Sequence, residues 1–157
     1  MMPKGKDMLE KLEYDKVLKM LARKSVTPLA AEAILKFKPV YRLDEVVALQ
    51  EQTVQAYEIL RLHPTFTLNR FHDIEPFIKR AKLGISLAPE CFLEIAMTIS
   101  SGQQVKKFLD PFVESYEIIN AQTKRIVDQQ RLLKQINETI TSDAKIASSA
   151  TSRLRSI

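Results

Sequence analysis

Few side chains in this 157-residue chain could do chemistry. His63 and His72 stand nine residues apart, with Asp73 beside the second. To hold a metal ion or relay a proton, they would have to converge with further ligands. A small metal-dependent enzyme using His63, His72 and Asp73 is the one catalytic reading they offer. Taken singly, they read as loop and cap residues. Cys91 falls at an expected helix start, where the helix dipole could lower a thiol's pKa. No histidine neighbours it in sequence and Phe92 and Leu93 follow it, so a packed thiol is the simpler reading. A phosphate-cradling loop needs G-x-x-x-x-G-K-[ST], because only glycine backbone approaches the phosphates closely and the lysine must reach them. Gly5, Gly84 and Gly102 are the only glycines, and none begins that motif. There is also no G-x-G-x-x-G, H-E-x-x-H or C-x-x-C. The expectation is a non-catalytic chain with no catalytic, nucleotide-binding or metal-binding residue and no cofactor of its own.

Charge leaves a second possibility. Residues 1–42 carry ten Lys/Arg against five Asp/Glu, residues 43–75 two against six, and residues 76–157 twelve against eight. Basic ends around an acidic middle could favour DNA or RNA. Lys79, Arg80 and Lys82 form the tightest basic group of the middle, and with Lys106 and Lys107 they are the candidate phosphate contacts. Solvated helix ends account for them equally well, as they do for Lys124 and Arg125. No aromatic residues interleave with these bases as they do in platforms that stack single-stranded nucleic acid.

The elements that must position these groups read as helices. Three glycines, seven scattered prolines and no tryptophan leave little material for tight β-turns, while helix-tolerant residues are plentiful. The composition, 45% hydrophobic and 27% charged, is that of a globular protein. No apolar run approaches the roughly 20 residues of a membrane span. The stretch from Met1 to Asp7 carries Lys4 and Lys6 but leads into no uninterrupted apolar core, so it does not read as a signal peptide. The lone Cys91 excludes an internal disulfide framework and suits a reducing, cytoplasmic setting.

Apolar periodicity predicts a first helix over 8–24 and a second from Leu29 to Lys36, started by Thr27-Pro28. A third is expected from an Asp44 cap to about Leu62, with Val46, Val47, Thr53, Val54, Tyr57 and Leu60 inward. A loop covers His63 to Phe71. Asp73 then caps a short helix that Gly84 ends. A fifth helix runs from Glu90 to Leu109, where Gly102 is a possible interruption. Residues 111–141 read as the longest helix, with a polar-interrupted heptad seam through Phe112, Tyr116, Ile119, Thr123, Ile126, Gln130, Leu133, Asn137 and Ile140. Unbroken, it would extend about 46 Å, at ~1.5 Å per residue. Ser148 or Ser149 would cap a last helix from about Ala150, with Leu154 and Ile157 on one face. The chain stops there with that face just begun, which reads as truncation. The fold class is all-α: an irregular helical core over 1–110, then a long helix and the start of a lever over 111–157.

Several runs in order resemble one family. Leu12-Glu13-Tyr14-Asp15-Lys16-Val17 resembles the opening "LE-(F/Y)-D-K-(I/V)" of the second bacterial MutS paralogue, the MutS-two family. Ala33 and Lys38-Pro39 follow at the family's distance. Gln52-Thr53-x-x-Ala56 resembles its "T-x-E-A" helix, with Gln55 where the family commonly has Glu. Phe71-His72-Asp73-Ile74 resembles "G-I-x-D-I", and the run through Arg80, Ala81 and Gly84 resembles "x-R-A-x-x-G". From Ile136 the family's "I-x-x-x-I-D-x-x-G-x-I-x-D-x-A-S-x-x-L-x-x-I-R" is held by Ile136, Ile140, Asp143, Ile146, Ser149, Ala150, Thr151, Leu154 and Ile157. Ala144 replaces its turn glycine and Ser148 its aspartate.

The resemblance implies the N-terminal core and lever of a clamp ATPase related to mismatch-repair MutS but lacking its mismatch-reading domains. Family members dimerise through an ATPase domain that uses ATP and Mg, and many carry a terminal Smr nuclease domain. Their roles include binding branched DNA, suppressing homologous recombination, and splitting collided ribosomes for rescue. DNA or ribosomal RNA, met through the full-length homodimer, are the implied partners; a membrane is not. None of the family's ATPase or nuclease motifs falls in these residues. The alternative is a stand-alone helical adaptor that binds a protein through its apolar seam.

Overall fold

In the computed structural model, which describes residues 5–69, 71–147 and 150, the chain is all-helical. The helices are α1 (Gly5–Lys11), α2 (Tyr14–Ala22), α3 (Pro28–Leu35), α4 (Leu43–Leu62), α5 (Glu75–Lys82), α6 (Pro89–Leu109), α7 (Glu117–Thr123) and α8 (Gln130–Thr139). A 3-10 turn, Asp110–Phe112, follows α6. Among the described residues there is no β-sheet; one isolated antiparallel bridge joins Ile140 and Ile146. No described helix is long and apolar enough to cross a membrane.

The expected first helix is two. Glu13 takes a left-handed conformation (φ 53°), which a continuous α-helix cannot accommodate. The chain turns there, and α1 folds back against α2, which packs on α3. Of the large apolar residues along 8–24 only Leu18 is buried, while Leu12, Val17 and Met20 are exposed. The start of α3 is as expected: Thr27 Oγ1 accepts a bond from the Ala30 N–H at 3.1 Å, and Pro28 opens the helix.

Helix α4 packs by a face other than the one its pattern suggests. Its buried residue is Ile59, while Val47, Thr53, Val54, Tyr57 and Leu60 are exposed. Asp44 lies in the first turn and Arg42 occupies the cap position. The contact face includes Gln55, whose Oε1 accepts the backbone N–H groups of Ile118 (3.1 Å) and Ile119 (3.2 Å) at the start of α7. The first N–H groups of a helix have no partner within it. A polar side chain reaching across from α4 therefore selects the face that packs.

Helix α6 is the centre of the assembly, in contact with the 3-10 turn, α7 and α8. Ile59, Leu109 and Tyr116 form the buried cluster, with Val105, Phe108, Phe112 and Ile119 packed around it. Aromatic contacts extend it: Phe66 stacks on Phe108 at 3.9 Å and Phe112 lies 6.1 Å from Tyr116. Gly102 is buried within α6 and does not interrupt it.

The single helix expected over 111–141 does not form. The chain instead passes through the 3-10 turn, α7, a loop over 124–129 and α8. Polar residues at its inward positions satisfy the backbone groups that each break exposes. Asn120 Nδ2 donates to the carbonyls of Phe112 (2.9 Å) and Tyr116 (3.0 Å), and Thr123 Oγ1 donates to that of Asn120. Across the second break, Lys106 Nζ and Gln103 Nε2 donate to the carbonyls of Ile126 (3.1 Å) and Val127 (3.2 Å). Asp128 Oδ1 then accepts the Gln130 N–H at 2.9 Å and opens α8. Of the expected seam, Tyr116, Thr123 and Ile140 are buried, whereas Gln130 and Asn137 are exposed. The final helix expected after Ser148 and Ser149, with Thr151, Leu154 and Ile157, lies outside the described residues.

Candidate nucleic-acid interface and family motifs

The two histidines sit in different surroundings. His63 follows α4 and lies against Phe112, with ring centroids 4.6 Å apart, and against Phe108 at 5.4 Å. His72 Nδ1 is 3.5 Å from Glu94 Oε2. Its Nε2 is buried with no hydrogen-bond partner among the described residues. Asp73 turns away to local backbone, its Oδ1 accepting the Glu75 N–H at 3.0 Å. The expected capping role of Asp73 is thus exercised from just outside the helix, because Ile74 holds the cap position. Among the described residues no three of His, Cys, Asp or Glu are grouped to hold a metal ion. Cys91 is a free, half-buried thiol in the first turn of α6.

The basic candidates divide by what they already bind. Lys79 Nζ lies 2.7 Å from Glu75 Oε1, one turn earlier on α5. That bond raises the lysine's pKa and lowers the glutamate's, so both stay charged at neutral pH. Arg80 Nη2 donates to the carbonyl of Ser86 at 3.4 Å, across the loop that leaves α5. Lys106 is spent on the Ile126 carbonyl. Lys82 and Lys107 are exposed and carry no ion pair among the described residues. Lys124 and Arg125 lie at the end of α7, where Arg125 Nη1 is 3.5 Å from Gln122 Oε1. The surface available for phosphate is therefore a few separated cations, and three of the five candidates have structural partners of their own.

The residues that carry the family resemblance do structural work. Glu13 makes the left-handed turn before α2 and accepts from Lys16 Nζ at 2.6 Å; Tyr14 and Asp15 open that helix. Ile74 is half-buried before α5. Gly84 (φ 73°) ends α5 as the sequence suggests: its N–H bonds the Ala81 carbonyl, and the Ile85 N–H bonds that of Arg80. This paired closure requires the left-handed conformation that glycine adopts without strain. Ala144, standing where the family has glycine, is also left-handed (φ 59°). It forms the tip of the turn that brings Ile146 back to Ile140. The Gln55 cap of α7 was hidden from a sequence reading, because no local pattern links a mid-helix glutamine to a helix start some 60 residues away.

No family model matches the chain. Individual proteins do. The chain is 33% identical over 152 residues to Endonuclease MutS2 of Brevibacillus brevis, a match covering 96% of this chain and 19% of that protein. It is 32% identical over 152 residues to Endonuclease MutS2 of Bacillus mycoides, covering 95% and 19%. To that of Pelotomaculum thermopropionicum it is 30% identical over 152 residues, covering 97% and 19%. Similarity over almost the whole chain, together with the ordered motifs placed above, identifies it as a MutS2-family segment that spans about a fifth of the length of the curated relatives it matches.

Proposed function

We propose that this chain is the N-terminal helical scaffold of a MutS2-type clamp protein and that it does no chemistry itself. The observation that carries this reading is the similarity to MutS2 proteins along 96% of the chain, in a sequence that contains no phosphate-cradling motif. In this reading ATP and Mg are bound elsewhere in a full-length homodimer, and the endonuclease activity in the relatives' names resides outside these residues. The scaffold transmits motion to a clamp that acts on branched DNA, suppressing recombination, or on ribosomal RNA in collided ribosomes. The division into a core over 1–110 and the start of a lever over 111–157 belongs to the same proposal.

Stiffness has to come from elements other than 111–141, since that stretch is segmented. Helix α6, 21 residues and about 31 Å long at ~1.5 Å per residue, is the best strut. It is braced by α7, α8 and the 3-10 turn. A force on either end of α6 therefore reaches its neighbours through packed side chains.

Nucleic-acid contact through Lys82 and Lys107, the exposed candidates, would be weak and electrostatic. Two phosphate contacts give a shallow salt dependence, a slope of about −2 in log K against log salt. The test is ATP turnover by the purified chain with Mg, alone and with branched DNA. The proposal expects none, and turnover that follows the protein through purification to homogeneity overturns it.

A further inference from the structure

By their packing, the helices fall into two groups. Within residues 5–35, α1 packs on α2 and α2 on α3. Within residues 43–139, α4 packs on α7, and α6 on the 3-10 turn, α7 and α8. None of these helix packings joins one group to the other. The side-chain bonds of the first group are local as well. Lys16 pairs with Glu13 at 2.6 Å and Lys36 with Glu32 at 3.8 Å. Ser25 Oγ donates to the Ala22 carbonyl at 2.6 Å, and Thr27 Oγ1 accepts from the Ala30 N–H.

Where the groups approach each other, they leave a gap. Leu29 of α3 borders a cleft of about 360 Å³ together with Phe71, Ile74 and Ile78. Apolar side chains that border a void forgo the contacts that hold packed helices together. The covalent connection is equally bare. From the Phe37 N–H, bound to the Ile34 carbonyl, to the Val46 N–H, bound to that of Arg42, no backbone hydrogen bond ties the chain among the described residues. Phe37 is exposed, whereas Val40 already lines a groove along α4 with Val46 and Leu49. The unsupported stretch is therefore Lys36 to Pro39. The two groups also differ in what they bury. The second has the cluster of Ile59, Leu109 and Tyr116, while the first buries Leu18. Its 31 residues, 5–35, are fewer than the ~40 below which a unit seldom holds a stable core alone.

We infer that residues 36–39 form a joint, and that α1–α3 opens and turns as a unit while α4, α6, α7 and α8 stay packed. Parts of a chain that bury unequal apolar surface and share few contacts open as separate cooperative units. In the scaffold proposed above, the joint confines transmitted motion to the second group and leaves α1–α3 free to follow another neighbour. That consequence rests on the scaffold reading, whereas the joint is a property of this chain.

Hydrogen exchange of the intact 157-residue chain, followed by mass spectrometry, tests the joint. In the wild-type chain the amides of α2 and α3 should exchange at least about tenfold faster than those of α6. Leu18→Ala should accelerate α1–α3 by about tenfold more, up to complete loss of protection, and leave α4, α6, α7 and α8 within about twofold. Inserting Gly-Ser-Gly between Lys38 and Pro39 should change neither group by more than about twofold, since lengthening a free connection costs little. Uniform exchange along the wild-type chain overturns the proposal. Loss of α6 protection together with α1–α3 in Leu18→Ala, or acceleration of either group by the insertion, overturns it equally. None of these readouts involves ATP or nucleic acid, so the joint can fail while the scaffold reading stands, and the reverse.

Discussion

Replacing Gln55 by alanine should weaken the junction between α4 and α7 by an amount the structure sets. Helix α7 is only seven residues long, and its cap residue Tyr116 makes no side-chain cap bond. Gln55 Oε1 supplies that acceptor from another helix, taking two N–H groups at 3.1 and 3.2 Å in a half-buried position. Losing a helix cap costs about 1–2 kcal/mol, the upper part of the range applying where water cannot fully replace the acceptor. For a chain of this size that corresponds to a melting temperature lower by about 3–6 °C. Urea unfolding followed by helix circular dichroism measures the loss, and three variants locate its cause. Gln55→Ala and Gln55→Leu should both lose stability, since neither offers an acceptor. Gln55→Glu should retain most of it, because a carboxylate oxygen accepts the same bonds and sits favourably at a helix N-terminus. If Gln55→Leu is as stable as the wild type, apolar contact and not capping holds α7 to α4, and the reasoning fails.

Ala144→Gly should stabilise the chain by about 0.5–1 kcal/mol, read as a higher urea midpoint, because the left-handed turn strains alanine and not glycine. Gly102→Ala should also stabilise the chain by roughly 0.5–1 kcal/mol, since an added Cβ meets only Ile126 Cγ2, at 3.7 Å, and alanine favours the helix. A drop instead would show that the 124–129 loop cannot tolerate even ordinary contact there. The carboxyl of Asp143 is held below the usual aspartate range by Lys145 first and Thr141 second. A lowered folded pKa contributes stability above the unfolded pKa of about 3.9 and loses it as pH falls through the folded value. Acid titration in low salt should therefore show a slightly shallower stability loss below pH ~4 for Asp143→Asn than for the wild type, and added salt should erase the difference.

Where local chemistry decides an element, the sequence is readable. Thr27-Pro28 before α3 and Gly84 after α5 are signals whose partners lie within a few residues, and both act in the structure as their types suggest. Helix α6, Pro89–Leu109, forms over almost the span expected for the fifth helix. Long-range packing is where legibility ends. The apolar period of α4 points to Val47, Val54 and Tyr57, yet the buried residue is Ile59, on the side where Gln55 bonds the start of α7. The heptad pattern through 111–141 marks inward positions such as Tyr116 and Ile140 but not the breaks between them. Those breaks depend on Asn120, Gln103 and Lys106 satisfying freed carbonyls, two of them from α6. Of the candidate phosphate contacts, sequence could rank the bases by clustering. Only the geometry shows that Lys79, Arg80 and Lys106 are already engaged.

The central claim, that this chain serves as a MutS2 scaffold segment, is tested most directly by exchange. In Endonuclease MutS2 of Brevibacillus brevis, the stretch matching these 152 residues is replaced by the present sequence, and nuclease turnover and melting temperature are measured together. The account predicts a chimera that melts close to its parent and keeps its turnover to within about tenfold, a barrier change of ~1.4 kcal/mol. A chimera that folds and melts like the parent but has lost turnover would contradict it.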